Sequence, residues 1–553
     1  MMKAKKWDMW MVISIVLLCL YILFMLYPMF RLLSNSILDE ETGAFTLRYF
    51  QRFFDKDHGY AYTLVNSFRV SIAATVVTLI LGVPMAYLYA MFEIRGRNFL
   101  MVMIILCSMS APFLGAYSWV LLLGRGGAIT KLIKAWFGIK LPGIYGFGGI
   151  LLALSTKLFP LVFLYVNGAL KNVDNSLLEA SSNMGCKGVR RFFKVVIPLC
   201  MPSILAAGLM VFMRSLADFG TPRMIGEGYM TFPVVIYQQY VGEVGTNYNF
   251  AAAIAVIAVV ITAVIFLLQK WSSNRFSFTM NALHPIERKK PGRLAGFFIH
   301  LFLYGMVVVS YAPQLFLIYY SFHNVSKTGN IIKPGYSLMN YRTVWPDLGP
   351  AIWNTFRICG GALLIIIVMA MLISYLVVRR RNLMNNVIDT LSMIPYIIPG
   401  AVIGIAMIMG FNSGAIVLTG TVWIIIVAMC IRRMPYTIRS SVAVLQQIPV
   451  TVEEAAASLG ASQIKTFWKI TIPMMFSGVA AGAVMTWVTL ITELSSSVML
   501  YSYKTITLNL LVYVLVVGGT DARACAASTV LTLFTVITLA VYMRVARNRD
   551  LAL

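Results

Sequence analysis

Apolar runs of about 20 residues recur along the whole chain of 553 residues, and this feature decides the class of fold. A run of that length crosses a bilayer as a helix, because an α-helix rises about 1.5 Å per residue and the hydrocarbon core is about 30 Å thick. Hydrophobic residues make up 59% of the chain and charged residues 12%, far from the composition of soluble domains. We therefore predict an all-α polytopic membrane protein.

The runs and their polar interruptions predict about 12 spans, six in each half of the chain. The first span is interpreted as uncleaved, because no small-residue cleavage site follows it. The predicted spans are 9–30, 64–92, 99–123, 148–170, 199–217, 247–269, 297–320, 352–378, 386–410, 414–431, 474–494 and 524–543. The seven cysteines lie singly and mostly in apolar segments, so we expect neither a metal site nor a disulfide framework.

Lysines and arginines are distributed unevenly between the predicted loops. If the N-terminus is cytoplasmic, the inner segments hold 27 of them and the outer segments hold 13. Because basic residues accumulate on the cytoplasmic side of membrane proteins, this excess predicts that both termini are cytoplasmic. Contact with anionic lipid then explains the net charge of +25, and no nucleic-acid partner is expected.

Matched stretches show that the chain contains an internal repeat. Residues 178–204 resemble 453–479 with an offset of 275, and 64–71 resemble 352–359 with an offset of 288. The 13 extra residues are expected in the outer loop 124–146. Parallel repeats of this kind build a pathway between two halves. The predicted halves are residues 1–290 and residues 291–553.

Each repeated stretch contains Glu-Ala followed by Ser or Ala, then a Gly after three residues and an Ile-Pro pair further on. This pattern resembles the EAA loop of the permease subunits of binding-protein-dependent ABC importers. The resemblance covers essentially the whole chain, and it implies the type I importer fold and a bacterial inner membrane. The loops are 178–198 and 453–473, and their matching residues are Glu179, Ala180, Gly185, Pro198, Glu454, Ala455, Gly460 and Pro473.

In that family the short helix of each loop docks in a cleft of a cytoplasmic ATPase. The resemblance therefore implies an ABC ATPase, expected as a homodimer that serves two similar loops, and an extracytoplasmic binding protein. The chain has no GxxxxGK[ST] sequence, so we expect the ATPase to use ATP and Mg, and we expect no enzymatic activity or cofactor here. The alternative is that each loop is an ordinary solvated helix, which two copies in register disfavour.

The offset of 275 residues also places Asp218 opposite Glu493, each 20 residues beyond the proline of its loop. At about 1.5 Å per residue this distance equals the hydrocarbon thickness, so both carboxylates are expected at the outer ends of equivalent spans. Ionisable groups at such depth usually face protein or a water-filled path, which makes the pair candidates for a pathway or gate that suits a cationic cargo. The alternative is structural, with Arg214 as an i,i+4 partner of Asp218.

Two fused six-span halves in one chain resemble the ferric-iron permeases of the family, so ferric iron is the leading cargo. Phosphonate and thiamine permeases are built similarly, and aminoethylphosphonate, thiamine or another small polar solute stays open. A secondary transporter also has parallel halves, but it would hold coupling charges near mid-membrane and needs no paired EAA loops. A membrane enzyme would need a convergent catalytic site, which four unclustered histidines do not suggest.

Overall fold

A computed structural model shows an almost entirely helical protein. Within the described residues, every regular element is a helix except for one two-stranded antiparallel ribbon. This confirms the predicted all-α class. The structure describes residues 8–57, 59–108, 112–241, 247–275, 284, 286–325 and 332–547.

The first half of the sequence contributes fourteen α-helices within the described residues. They are α1 Met9–Tyr21, α2 Tyr27–Ile37, α3 Arg48–Phe54, α4 Ala61–Met91, α5 Arg97–Ser108, α6 Pro112–Leu123, α7 Ala128–Phe137, α8 Phe147–Lys171, α9 Asn175–Asn183, α10 Gly188–Arg191, α11 Ile197–Leu216, α12 Gly220–Ile225, α13 Phe232–Val241 and α14 Tyr248–Arg275. Two π-helical turns, Ile22–Leu26 and Phe192–Val196, lie within this series.

The second series of elements follows the same plan. Its helices are α15 Arg293–Ser321, α16 Met339–Arg379, α17 Leu383–Ile397, α18 Gly400–Phe411, α19 Val422–Gln447, α20 Thr451–Ser458, α21 Gln463–Thr466, α22 Ile472–Ile491, α23 Ser497–Leu500, α24 Leu508–Val517 and α25 Asp521–Arg547. The ribbon is formed by β1 His323–Val325 and β2 Ile332–Tyr336, a π-helical turn covers Phe467–Thr471, and a 3₁₀ turn covers Tyr503–Thr505.

Helix boundaries repeat with the offsets that the sequence predicted. The offset of 275 relates α11 to α22 at both ends, and the offset of 288 relates α6 to α18 at both ends. The 13 additional residues lie between α6 and α8, where they form α7, whereas residues 412–421 of the second half are loop. The predicted position of the insertion is therefore confirmed.

The chain divides into two compact units, and neither of them is one continuous half of the sequence. One unit contains Met1–Phe50, Ile236–Val259 and Ser321–Leu553, and the other contains Gln51–Val235 and Val260–Tyr320. Helices α1 and α2 thus belong to the unit that holds most of the second half. Helix α15 belongs to the unit that holds most of the first half. Each half contributes its first long helix to the other unit.

Eight helical stretches in the described ranges are long and apolar enough to cross a bilayer, and the pair α17 and α18 would add a ninth. These stretches are Met9–Ile37, Ala61–Met91, Phe147–Lys171, Gly188–Leu216, Tyr248–Leu268, Arg293–Ser321, Met339–Arg379 and Gln463–Ile491. The predicted span 386–410 is bent by 114° between α17 and α18, where Pro399 is the N-cap of α18. The predicted span 99–123 includes residues 109–111, which lie outside the described residues.

The predicted span 414–431 is wrong at both ends. Residues 412–421 form a loop in which Gly414 and Gly420 have φ values of +98° and +79°, which favour glycine. The helix begins only at Val422 and continues for 26 residues to Gln447. Hydropathy placed the end too early because Arg432 and Arg433 lie inside this helix rather than in a loop.

Each of the three π-helical turns ends two residues before a proline, at Pro28, Pro198 or Pro473. Proline has no N–H to donate, and its ring crowds the carbonyl four residues earlier. A widened turn accommodates this defect without ending the helix. Consequently each of these helices runs through its proline as one stretch of 29 residues.

Small residues bring the main helices close together within each unit. A Cβ atom on Gly82 of α4 would lie 2.7 Å from Val162 Cβ on α8. In the other unit, a Cβ atom on Gly482 of α22 would lie 2.7 Å from Thr437 Cα on α19. These close approaches fix the positions of α8, which carries Lys157, and of α19, which carries Arg432 and Arg433.

Candidate docking loops and buried ion pairs

The first predicted docking loop begins with the short helix α9. Asp174 caps this helix, because its side chain accepts a hydrogen bond of 2.9 Å from Ser176 N. Leu178 is buried beneath the helix, whereas Glu179 is exposed and accepts a bond of 2.7 Å from Asn175 Nδ2. The helix ends at Gly185, whose φ of +78° turns the chain.

The second predicted loop repeats the exposed glutamate and the glycine turn, although its helix α20 has no side-chain cap. Glu454 and Ala455 lie exposed on α20, and Gly460 ends the turn with a φ of +79°. The closing backbone bonds are equivalent: Cys186 N donates to Ser181 O at 2.9 Å, and Ala461 N donates to Ala456 O at 3.0 Å. The sequence repeat is therefore also a repeat of local geometry.

Large apolar side chains are exposed beside each glutamate. Met184 and Leu459 precede the two turn glycines and are 85% and 89% exposed. Further along each loop, exposed side chains recur at equivalent positions. These are Val189 with Ile464, and Phe193 with Trp468. A carboxylate flanked by exposed apolar side chains is suited to contact with another protein.

A buried ion pair lies in the unit that contains most of the first half. Lys157 Nζ of α8 lies 2.9 Å from Asp218 Oδ2, and the two side chains are only 19% and 5% exposed. The other carboxylate oxygen accepts a bond of 2.8 Å from Thr221 N, in the first turn of α12. Asp218 therefore ties α8 to the segment that follows α11.

The equivalent site in the other unit holds two arginines. Arg432 Nη1 and Arg433 Nη2 of α19 each contact one oxygen of Glu493, whose side chain is 1% exposed. Ser496 donates to Glu493 Oε1 from both its N and its Oγ, each at 3.1 Å. Arg432 and Glu493 are related to Lys157 and Asp218 by the same offset of 275 residues.

These sites neutralise both carboxylates with cations of the protein itself. A cationic cargo would have to displace a buried lysine or arginine before it met either carboxylate. The described residues also contain no group of three or more His, Cys, Asp or Glu side chains arranged to hold a metal ion. The geometry is suited to joining helices, and it offers no preformed cation site.

The repeated stretch Asn-Ser/Thr-Phe-Arg, at 66–69 and 354–357, fastens a segment distant in sequence within each unit. Asn66 Nδ2 donates to Met230 O at 3.1 Å, and Asn354 Nδ2 donates to Lys504 O at 3.0 Å. The hydroxyl of the following residue accepts from a backbone N–H of the same segment, at 3.0 Å in the first copy and 2.8 Å in the second. The sequence showed this repeat but not its role.

Comparison with known proteins agrees with this double architecture. The pattern of the family described as "Binding-protein-dependent transport system inner membrane component" matches residues 78–278 and 362–550. The chain belongs to this family. It is a multi-pass inner-membrane permease, and its two family matches follow the two sequence halves.

Curated relatives of this permease include two proteins that match it across both halves. It is 28% identical over 511 residues to the ferric transport system permease protein FbpB of Actinobacillus pleuropneumoniae, which covers 91% of this chain and 73% of that protein. It is 27% identical to the putative ferric transport system permease protein FbpB 1 of Haemophilus influenzae, over 91% of this chain and 80% of that protein. The putative 2-aminoethylphosphonate transport system permease protein PhnU of Salmonella typhi is 26% identical over 44% of this chain and 85% of that protein.

Sequence reasoning found the two carboxylates of this permease but missed their partners. It offered Arg214 as the partner of Asp218, whereas the structure pairs Asp218 with Lys157, 61 residues away. It also counted Arg432 and Arg433 with a cytoplasmic loop, although both lie inside α19. One signal was available, since the offset of 275 residues places Arg432 opposite Lys157.

Proposed function

We propose that this permease moves ferric iron, delivered by an extracytoplasmic binding protein, into the cytoplasm. The observation that supports iron is the extent of the likeness: the two relatives named as ferric permeases match 91% of this chain, in both halves. The aminoethylphosphonate permease matches 44% of it. Aminoethylphosphonate is the second candidate cargo.

Uptake of ⁵⁵Fe(III) tests this proposal. In a bacterial host whose own ferric importers are deleted, the permease with its ATPase and binding protein is expected to restore energy-dependent accumulation of iron supplied as ferric citrate. Radiolabelled aminoethylphosphonate and thiamine, offered in parallel, are expected to stay at background. Accumulation of either of these solutes without iron would assign a different cargo to the same permease.

We infer that a separate cytoplasmic ABC ATPase docks on loops 178–198 and 453–473 and supplies the energy. Two equivalent exposed helices, each with a glutamate beside apolar side chains, support a partner with two equivalent clefts, and therefore a homodimeric ATPase. ATP and Mg would be bound by that partner. This chain would act in transport only, without catalytic residues or a bound cofactor of its own.

We infer further that both termini are cytoplasmic. Arg432, Arg433 and Arg439 lie inside α19 and therefore do not count as loop residues. Without them the inner segments still hold 24 lysines and arginines, against 13 in the outer segments. On this orientation both docking loops face the cytoplasm, and α7 and the β1–β2 ribbon lie outside.

Reporter fusions test the orientation. Alkaline phosphatase fused after Gly138 or Gly335 is expected to be active, because both positions would be outside. The same reporter fused after Gly185 or Arg380 is expected to be inactive, with the converse activity for a green fluorescent reporter. The opposite pattern at Gly185 would place the first docking loop out of reach of a cytoplasmic ATPase.

We propose that Asp218 and Glu493 act in gating, as latches between helices. Each carboxylate joins a cation on α8 or α19 to the first turn of the short helix after α11 or α22. Movement of that outer segment relative to α8 or α19 would require the ion pair to break. In the alternative, the carboxylates attract a cationic cargo. That role would also require the ion pairs with Lys157, Arg432 and Arg433 to break first.

A further inference from the structure

The second docking helix rests on a buried polar cluster that we call the polar anchor, formed by Arg379, Glu453, Tyr375 and Thr471. Arg379 Nε lies 2.9 Å from Glu453 Oε1, and the two side chains are 7% and 14% exposed. Thr471 Oγ1 donates to the same oxygen at 3.2 Å, and Tyr375 OH donates to Glu453 Oε2 at 3.3 Å. Arg379 Nη2 also donates to Ile448 O at 2.8 Å, just before α20.

The polar anchor connects three elements at one point. Arg379 and Tyr375 belong to the end of α16, Glu453 to the first turn of α20, and Thr471 to the π-helical turn before α22. Aromatic rings cover the cluster: the Trp10 ring lies 4.4 Å from that of Tyr375, centroid to centroid. Because this covering lowers exposure to water, the ion pair of Arg379 with Glu453 is stronger than it would be on an exposed surface.

The equivalent place in the first half is apolar. The contact of Tyr87 with Phe192, with centroids 4.8 Å apart, repeats the contact of Tyr375 with Phe467 at 4.9 Å, which fixes the correspondence. The offset of 288 relates Arg379 to a residue of the first half, and the offset of 275 does the same for Glu453 and Thr471. The equivalent residues are Met91, Leu178 and Val196, which are 5%, 3% and 2% exposed and lie in one apolar cluster.

The first docking helix has a different polar attachment, supplied by the segment between the halves. Asn175 N donates to His284 O at 3.0 Å, and His284 N donates to Asp174 Oδ2 at 3.2 Å. Further along, Lys289 N donates to Met91 O at 2.9 Å. The first helix is thus held by apolar packing and by this segment, whereas the second is held by side chains of α16.

We propose that Arg379 and Glu453 are positioning residues that fix the orientation of the second docking helix against α16. Apolar packing permits small rotations, but an arginine held by a carboxylate and a backbone carbonyl at once does not. A displacement of α20 by the ATPase is therefore passed to α16 through a directional contact, and the two docking loops differ in how they transmit motion. This role rests on the proposed docking of an ATPase to both loops.

The full chain in lipid nanodiscs provides the first test, with no partner present. A nitroxide spin label is attached at Ala455→Cys on the second loop or at Ala180→Cys on the first, with the accessible Cys19 and Cys186 replaced by Ser. The test variant carries Arg379→Met, Glu453→Leu and Thr471→Val, the residues of the first half. We expect label mobility at 455 to increase and mobility at 180 to stay unchanged.

The triple variant is chosen because it leaves no uncompensated buried charge, so it is expected to fold. Arg379→Lys is the conservative companion: it keeps the charge but loses the two-point contact of the guanidinium, and an intermediate mobility at 455 is expected. Unchanged mobility at 455 in both variants would overturn the positioning role. An equal increase at 180 would show general loosening and would also overturn it.

The second test uses proteoliposomes that contain the permease with its ATPase and binding protein. With the triple variant we expect solute uptake per ATP hydrolysed to fall about five-fold, the lower end of coupling effects between sites, while the ATPase still co-purifies. An unchanged ratio would overturn the inference. If the unaltered chain captured no ABC ATPase, the proposed docking function would fail instead, and the spin-label result would still decide whether the anchor orients the helix.

Discussion

Solute uptake will fall to background when Glu179 and Glu454 are both replaced by alanine, although the protein will still fold and insert. Both glutamates are exposed, and exposed substitutions typically change stability by at most about 0.5 kcal/mol. Each lies near an exposed apolar side chain, so the substitution takes a carboxylate out of the proposed docking surface, together with the bond that Asn175 donates to Glu179. Uptake in proteoliposomes and co-purification of the ATPase measure the effect.

The matched control for that experiment is the pair Glu40→Ala and Glu41→Ala, which removes two exposed carboxylates far along the chain from both loops. This control should retain uptake and ATPase binding. Each single substitution, Glu179→Ala or Glu454→Ala, should retain part of the uptake, because the other loop still docks. Normal uptake by the double variant would overturn the assignment of these loops.

The local geometry of the two predicted docking loops could be anticipated because its determinants are local and occur twice. A turn with positive φ at Gly185 or Gly460 and a proline further along each act over a few neighbouring residues. Two copies with one offset then exclude coincidence. The same reasoning placed the insertion that became α7, since an added segment between two aligned spans has only one place to lie.

The polar partners were not predictable from local patterns. A hydropathy scan treats Arg432 and Arg433 as the end of a span, because it cannot know that both contact Glu493, 61 and 60 residues away. For the same reason, a scan of local sequence could not predict the bond between Arg379 and Glu453, which are 74 residues apart. Such pairs become visible only when the repeat is used to compare equivalent positions.

The sequence also did not predict which helices belong to each of the two compact units. Helices α1, α2 and α15 have apolar exteriors that suit lipid wherever they pack, so their composition does not say which neighbour they join. Each nevertheless belongs to the unit that holds most of the other half. A division at residue 290 describes the sequence repeat, whereas the units describe packing.

Glu493→Gln is expected to destabilise the permease far more than Asp218→Asn, although the two residues are equivalent in the repeat. Loss of Asp218 leaves one lysine, which is 19% exposed and whose flexible side chain can turn its ammonium group toward water. Loss of Glu493 leaves two arginines beside one another, 13% and 17% exposed, and arginine does not deprotonate in proteins. Removing one partner of a buried ion pair typically costs about 3–5 kcal/mol.

Thermal unfolding of the purified protein in detergent, followed by tryptophan fluorescence, measures this difference. The control is Arg433→Leu, which gives the second site one cation followed by a leucine, as in the first, where Leu158 occupies the equivalent position. It leaves one arginine for one glutamate, so its unfolding temperature should stay near that of the unaltered chain. In the Arg433→Leu background, Glu493→Gln should be milder than alone, since only one arginine is then stranded. If Glu493→Gln alone unfolds at the same temperature as Asp218→Asn, the two-arginine site does not hold the helices together as its geometry indicates.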